Sequence, residues 1–525
     1  MRRQFAFLVV ALAALAPPAA AATFRWANDT DAASLDPYSR RETFQLSFLG
    51  NVYEPLISRG RDLELEPALA TDWQQVAPLV WRFDLRQGVR FQDRTPFTAA
   101  DVIFSYRRAR GAGSKIALAL STIRAVRAMN AHTIEIVTTM PDPTLPEEIV
   151  SWDMMSQAWC QAHGVGEPST AASAGDDYAA SHADGTGPFT IESRTPGERT
   201  AFVPNPVWWG KPEHGVDRVV FRPIAGDAAR LAALASGAVD MISAVPLEDI
   251  GRLAAMPGVH IVHRAGTRTI FLGFDQAPAT IRQGKRRQRN PLADRRVRQA
   301  FTLAIDEGAI ATTVMRGLAT PAGLIVGPGV DGFDPALNRR PAYDPAAARR
   351  LLAAAGYPAG FALTMDCPND RYINDAATCR AVAADLAKVG VRITLRAAPR
   401  SQFFARLLDP GLGSRFYLMG WRPANDDAID ALVNLAATRN DVRHSGAFNF
   451  GGTSNPALDG LIARAGRAAI GKGRTVLLRA ALAVVKDDDA YIPLHQPDVV
   501  WAVRDTVDLV QRGDGRFALH DVRMK

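Results

Sequence analysis

The sequence predicts an α/β protein of two or three domains. Helical patterns followed at once by apolar strand patterns recur along the chain, the mark of helices layered on a sheet. The 525 residues exceed what one ordinary core accommodates. The third observation is the stretch Thr269–Val314, which reads as the point where the chain leaves one lobe and begins another. Ile270, Leu272 and Phe274 alternate with the period of a half-buried strand, with Phe271 and Gly273 on its other face. A basic loop follows. Val297, Ala300, Phe301, Ala304 and Ile305 then lie on one helical face behind Asp294, a capping residue. Ile310, Thr313 and Val314 add a second apolar face.

Taken from the start, Arg2 and Arg3, the apolar run Phe5–Ala16 and the small residues Ala20-Ala21-Ala22 form a secretory signal peptide over 1–22. The run is shorter than the roughly 20 residues of a spanning helix, which argues against a membrane anchor. No Cys follows the cleavage region, so a lipid-anchored form is not expected, and the mature protein is expected in the periplasm. A content of 47% hydrophobic and 22% charged residues fits a soluble globular protein. Losing Arg2 and Arg3 takes the formal charge from +7 to +5. The basic run Gly284–Arg289 lacks interleaved aromatics, so no nucleic-acid partner is implied.

Thr23–Trp26 reads as a strand, and Phe44 to Tyr53 as a helical face ending at Glu54-Pro55. Trp81, Phe83 and Leu85 alternate as a strand, and after a turn at Gln87-Gly88, Val89 and Phe91 resume it. Thr98 to Asp101 resembles a capping box opening a helix, and Thr133–Val137 is another strand. The Gly-, Ala-, Ser- and Asp-rich stretch His163–Asp184 reads as a loop. Asp227–Gly237 is a short helix stopped by glycine, and Val239, Met241 and Ile242 form a strand.

Beyond the pivot, Asp344 caps a helix with Pro345 in its first turn and Gly356 past its end. Ala376–Lys388 is a second helix, followed by a strand at Val391, Ile393 and Leu395. Phe416, Leu418 and Gly420 form a strand that delivers Trp421. Asn455-Pro456 opens another helix. Tyr491, Pro493–His495 and Val499–Val503 read as strands. Of the three cysteines, Cys367 and Cys379 flank one loop and are the expected disulfide, with two unpaired thiols as the alternative; Cys160 stands apart. A loop of this length stabilises by roughly 3 kcal/mol at most.

No H-E-x-x-H, G-x-S-x-G or G-x-x-x-x-G-K-[ST] is present. Gly327–Gly332 fits G-x-G-x-x-G literally, but Pro328 and the absence of a strand–turn–helix unit make it a loop. The nine histidines show no metal-ligand spacing. No catalytic residue, cofactor or metal site is therefore assigned, and a periplasmic hydrolase is the alternative from another class.

A long series of motifs resembles the peptide/nickel-type solute-binding proteins of bacterial ABC importers (family 5, dipeptide/oligopeptide-binding-like). They are VYEPL at Val52–Leu56, PALATDW at Pro67–Trp73, LRQGVRFQDRTPFTAADVIFSYRRA at Leu85–Ala109, GTGPF at Gly185–Phe189 and NPVWWG at Asn205–Gly210. DRRVRQAFTLAID at Asp294–Asp306, LLAAAGYPAGF at Leu351–Phe361 and LAKVGVRITL at Leu386–Leu395 continue the series. The resemblance covers nearly the whole mature chain. It implies a two-lobed periplasmic-binding-protein fold with an extra subdomain in the first lobe and a hinge between the lobes. Lobe I would comprise 23–268 plus 497–525, with the subdomain at about 58–184. Lobe II would be 269–496, with crossings near Arg268–Gln276 and Asp488–Gln496.

The resemblance also implies a non-catalytic, monomeric receptor that delivers a peptide-like solute to the transmembrane subunits of an ABC permease. In dipeptide binders of the family, an Asp three residues after a Gly-Trp pair holds the peptide ammonium; here that position is Ala424. Asp426 or Asp427 would have to substitute, or the solute is not a peptide but an organic acid, opine, sugar or metal chelate. For a nickel-type chelate, His444 and His495 are the histidines considered. Trp421 matches the family and would form an apolar wall. The other candidate ligand contacts are Arg371 and Tyr372 in the loop Asn369–Asn374, Arg422, Asn449, and Tyr53, Glu54 and Thr186 across the cleft.

Overall fold

A computed structural model describes residues 22–169, 177–211, 215–277, 280–283, 286–409, 415–442 and 445–525. The signal segment, part of the loop 163–184, and His444 lie outside the described residues.

The molecule is organised on the strand Tyr491–Arg504. Its first half pairs antiparallel with Thr269–Phe274, from Gly273 opposite Tyr491 to Ile270 opposite His495. Its second half pairs with Val259–Ala265, from Ala265 opposite Asp498 to Val259 opposite Arg504. One sheet therefore runs through the molecule. From Thr269–Phe274 it continues through Phe416–Trp421 and Phe361–Pro368 to Val391–Ala398. On the other side it continues through Met241–Ile242, Thr23–Asn28, Arg218–Pro223 and Arg199–Pro204 to Phe189–Thr195. The chain passes from Val259–Ala265 to Thr269–Phe274 through 266–268, and Tyr491–Arg504 changes pairing partner between His495 and Asp498. Gly266 is required at this crossing, because a Cβ there would lie 2.6 Å from the Pro497 carbonyl oxygen.

Each half carries its own apolar core. The first packs Trp26, Phe48, Phe221, Trp501 and Phe517. Phe83, Leu85, Ile134 and Ile136 belong to the same core, so the four-stranded sheet formed by Ala70–Ala77, Val80–Leu85, Thr133–Thr138 and Ile123–Asn130 shares it. The second half has a core on each sheet face: Ile270, Leu272 and Phe274 enter one, Phe271 enters the other with Tyr417 and Tyr491. All six residues of Thr269–Phe274 are buried, so the expected half-buried strand is a central one covered on both faces. Gly273 is needed because a Cβ would strike the Tyr417 ring.

The capped helices form where read. Thr98 and Asp101 complete a capping box for Ala99–Ala109. Asp294 accepts from Arg296 N, Asp344 from Ala347 N, and Asn455 from Ala457 and Leu458 N. The Cys367–Cys379 disulfide is formed and Cys160 is a buried free thiol. Other expectations are corrected. The first helix is only Thr43–Leu49, because Gly50 ends it. Val89 and Phe91 do not form a strand; they flank a tight loop closed by one bridge between Arg90 and Pro96. The separate strands expected over 491–503 are one strand. The helix Lys472–Asp487 was not anticipated. Gly327–Gly332 is a loop, with Gly329 and Gly332 at positive φ.

Candidate functional site

Two adjoining chambers lie between the halves. One, of about 610 Å³, is walled by Trp26, Phe44, Ser243 and Phe517 from the first half and Ile270 and Asn374 from the second. The other, of about 450 Å³, is walled by Arg41, Glu42 and Leu46 from the first half and Met419, Trp421, Ala424 and Phe448 from the second. Thr43, Arg268, Arg371, Tyr372 and Arg422 line both, so these five residues form the common wall. A third cavity, of about 340 Å³ between Leu324, Arg340, Leu482 and Tyr491, lies wholly within the second half, where lobe closure has nothing to enclose.

The local sequence explains the placement of the common wall. The strand Phe416–Trp421 carries Trp421 and then Arg422 out of the sheet. Trp421 packs edge-on against Phe448, centroids 5.0 Å apart. Arg371 and Tyr372 sit in the loop closed by the disulfide, and the backbone N–H of each donates to Asp375 Oδ2 at 3.0 Å. Tyr372 donates its hydroxyl to the Gly420 carbonyl at 3.2 Å, tying that loop to the tryptophan strand. Arg268 comes from the crossing itself. Arg422 reaches toward the first half, 3.5 Å from Thr43 Oγ1 and 3.4 Å from the Asp514 carbonyl.

Four of the ten sequence candidates thus meet: Trp421, Arg422, Arg371 and Tyr372. The other six are buried elsewhere. Asp427 forms a fully buried ion pair with Arg474 and caps the helix Ala428–Ala431 through Ile429 N. Asp426, at φ 53°, pairs with Arg59 of the first half at 3.2 Å. Neither carboxylate therefore lines the cleft in place of the one absent at Ala424. Asn449 spends its amide on the Ala437 and Thr453 carbonyls. Glu54 accepts from Thr186 Oγ1 at 2.8 Å, Trp209 Nε1 at 2.9 Å and Trp208 Nε1 at 3.1 Å, a bonded set inside the first half. Tyr53 is completely buried beside it. His495 is buried in the central strand and lines neither chamber. Among the described residues, no group of three or more His, Cys, Asp or Glu is placed to hold a metal ion.

Asp430, Arg41 and Arg268 were missed. Asp430 Oδ2 accepts from Trp421 Nε1 at 2.9 Å and from Ala424 N at 3.2 Å, so a carboxylate does stand behind the position where Ala424 lacks one. Burial raises its pKa to about 6, against the opposing effect of the Trp421 N–H. Burial lowers Arg268 to about 10, and neighbouring Arg371 adds to the shift. Burial alone would raise Asp514, but Arg512, Arg516 and Arg422 bring it to about 2. The only signal in sequence for Arg268 was its place at the crossing. Asp430 offered none, since its role depends on a turn that folds it back under Trp421.

An α/β molecule of two cored halves, joined by two crossings and enclosing a cleft between them, defines a hinged solute-binding protein. Known proteins agree. The profile of the bacterial extracellular solute-binding proteins, family 5, matches residues 64–442. The chain belongs to this family, the receptors of bacterial ABC importers. The glutathione-binding protein GsiB of Shigella boydii is 24% identical over 480 residues, covering 89% of this chain and 88% of its own. HbpA2 from Haemophilus parasuis superposes with a TM-score of 0.82 at 22% identity, over 96% of this chain and 100% of that one. The periplasmic binding protein DppA from Helicobacter pylori, in complex with the peptide STSA, gives 0.74 at 23% identity, over 96% and 98%.

Proposed function

We propose that this receptor captures a peptide-like small solute in the cleft and presents the closed form to the transmembrane subunits of an ABC permease. The observation that carries the reading is the cleft, whose two chambers take walls from both halves and join at Arg371, Tyr372 and Arg422. Hinge closure buries whatever is held there. The relatives named for glutathione and the neighbour holding STSA support a peptide-like ligand. The protein acts without catalysis, as a monomer exported by the segment 1–22; release of product from a bound probe by the pure protein would favour a hydrolase instead. The second reading, a non-peptide solute, is favoured by Ala424, which leaves the tryptophan strand without its own acid.

The test is a melting scan of refolded, ligand-stripped protein against peptides with free and acetylated N-termini. Ligand at about 100 times Kd adds roughly 2.7 kcal/mol to the native state. Stabilisation by free peptides alone means that the ammonium is read. Equal stabilisation by acetylated peptides means the ammonium is not read. No shift with any peptide overturns the peptide reading.

A further inference from the structure

The common wall carries positive charge that the protein does not balance. Arg268, Arg371 and Arg422 arrive from three separate segments: the crossing, the disulfide loop and the end of the tryptophan strand. The Arg268 and Arg371 guanidiniums sit 5.8 and 5.2 Å from the centroid of one ring, Tyr372. Among the described residues, neither has a carboxylate within ion-pair distance. Among the described residues Arg422 has one carboxylate within ion-pair distance, Asp426 at 3.9 Å, which Arg59 already engages at 3.2 Å; the more distant Asp514 is shared with Arg512 and Arg516. The Arg422 Nε is buried without a hydrogen-bond partner. Of the acids that line the chambers, Asp514 is held by Arg512 and Arg516, Asp227 by Arg230, Asp498 by His263 and Glu42 by Arg40, while Asp29 and Glu248 form no ion pair with the three arginines. Asp430, behind the wall, accepts from Trp421, Ala424 and Asn434.

A guanidinium partly withdrawn from water beside like charges, as Arg268 and Arg422 are, is costly unless a counter-charge joins it. The burial that lowers Arg268, compounded by Arg371, records that cost. Guanidinium forks match carboxylate and phosphoryl oxygens in bidentate fashion. A neutral zwitterionic peptide brings one carboxylate to three arginines, and an ammonium besides.

Resting on the reading of this cleft as the solute site, we propose that the solute is a small polyanion. Its two or more negative charges, on carboxylate or phosphoryl oxygens, are held by Arg268, Arg371 and Arg422 where the chambers meet.

The test is calorimetric titration of refolded protein at low salt with five probes: Ala-Ala-Ala, Ala-Lys, Ala-Glu-Glu, citrate and glycerol phosphate. At least one of the last three should bind about tenfold or more tightly than Ala-Ala-Ala, since a lost charged hydrogen bond costs about 1.5–3 kcal/mol. Arg371 is exposed, so R371Q should fold with an unchanged melting temperature. R371Q should weaken the acidic probe about tenfold and Ala-Ala-Ala, which brings one carboxylate, by a clearly smaller factor. Ala-Glu-Glu and citrate against glycerol phosphate separates carboxylate from phosphoryl recognition. Binding of Ala-Ala-Ala or Ala-Lys as tightly as the acidic probes overturns the proposal and leaves the peptide reading standing. Binding of citrate or glycerol phosphate alone keeps the proposal and removes the peptide reading. An equal loss for every probe in R371Q shows a packing role and overturns the charge argument. No binding by any probe overturns both.

Discussion

Asp427 and Arg474 show how a residue that reads as a ligand contact becomes structural. Both side chains are fully buried, and Arg474 donates to both carboxylate oxygens while its Nε donates to the Ala465 carbonyl at 3.1 Å. Replacing Arg474 with Met leaves an unpaired carboxylate in the core of the second half, which costs about 3–5 kcal/mol. The urea midpoint should fall accordingly, with ligand affinity of the folded fraction unchanged. A midpoint within error of the parent would show that the pair is not the buried contact described. Trp421→Ala should do the opposite: a large loss of affinity on titration, with a smaller loss of stability, since the indole is only half-buried in a cleft wall. Sequence could not separate Asp426 and Asp427 from the cleft residues beside them. Their side chains point inward because Asp426 takes a left-handed turn and Asp427 caps the next helix. The three wall arginines lie at 268, 371 and 422, and no local pattern reports a convergence over such separations.

At the scale of elements, the disulfide loop is the piece that joins stability to binding. The bridge ties the strand Phe361–Pro368 to the helix Asp375–Ala387, and Arg371 and Tyr372 lie between its two cysteines. Replacing both cysteines with Ala removes a short loop constraint worth about 3 kcal/mol. The melting temperature should drop, and affinity for the cleft ligand should weaken as well, because Arg371 loses the covalent restraint on its loop. Asp375, which takes both backbone N–H groups, and the Tyr372 hydroxyl bond to Gly420 remain. A drop in melting temperature with unchanged affinity would mean that these hydrogen bonds position the loop without the bridge. Elements with side-chain caps were legible, as at Thr98, Asp294, Asp344 and Asn455, because capping is a local interaction written in a few adjacent residues. The helix Lys472–Asp487 was not, because it starts at Gly471, at φ 141°, with no side-chain cap. The strand Tyr491–Arg504 read as fragments because Pro493 and Pro497 interrupt its pattern. It tolerates Pro493 where the pairing with Thr269–Phe274 shifts register, between Ile270 and Phe271.

For the whole molecule, the two-lobed architecture was legible because long family motifs and the alternation of helix and strand both survive in sequence. The electrostatics of the contact between halves was not, since it brings together acids from distant segments. Glu147 and Glu148, in the short helix Leu145–Glu148 of the first half, face Asp427 and Asp430 of the second. Burial comes first in raising both glutamates to about 8. Asp427 and Asp331 push Glu147 up further while Arg59 and Arg474 pull it down. Asp142, Asp430 and Glu147 push Glu148 up, and its hydrogen bond from Thr144 opposes them. When the halves separate, these carboxyls regain water and return toward their ordinary value of 4.5. The apposed arrangement therefore binds protons more tightly. Its stabilisation is full below about 4.5 and is lost as the pH rises through about 8. Ligand affinity, which includes the free energy of closure, should strengthen as the pH falls from about 8 to about 5, and the radius of gyration from X-ray scattering of the ligand-bound protein should shrink with it. A carboxylate ligand stays ionised over most of that range, since its own pKa lies near 4. Replacing Glu147 and Glu148 with Gln supplies the neutral form permanently. The double variant should lose most of the weakening of the parent between pH 5 and pH 8, leaving a shallower profile to which Asp430, raised to about 6, still contributes. A parent profile that is flat, or that weakens toward low pH, would show that these two glutamates do not set the balance between the open and closed lobes.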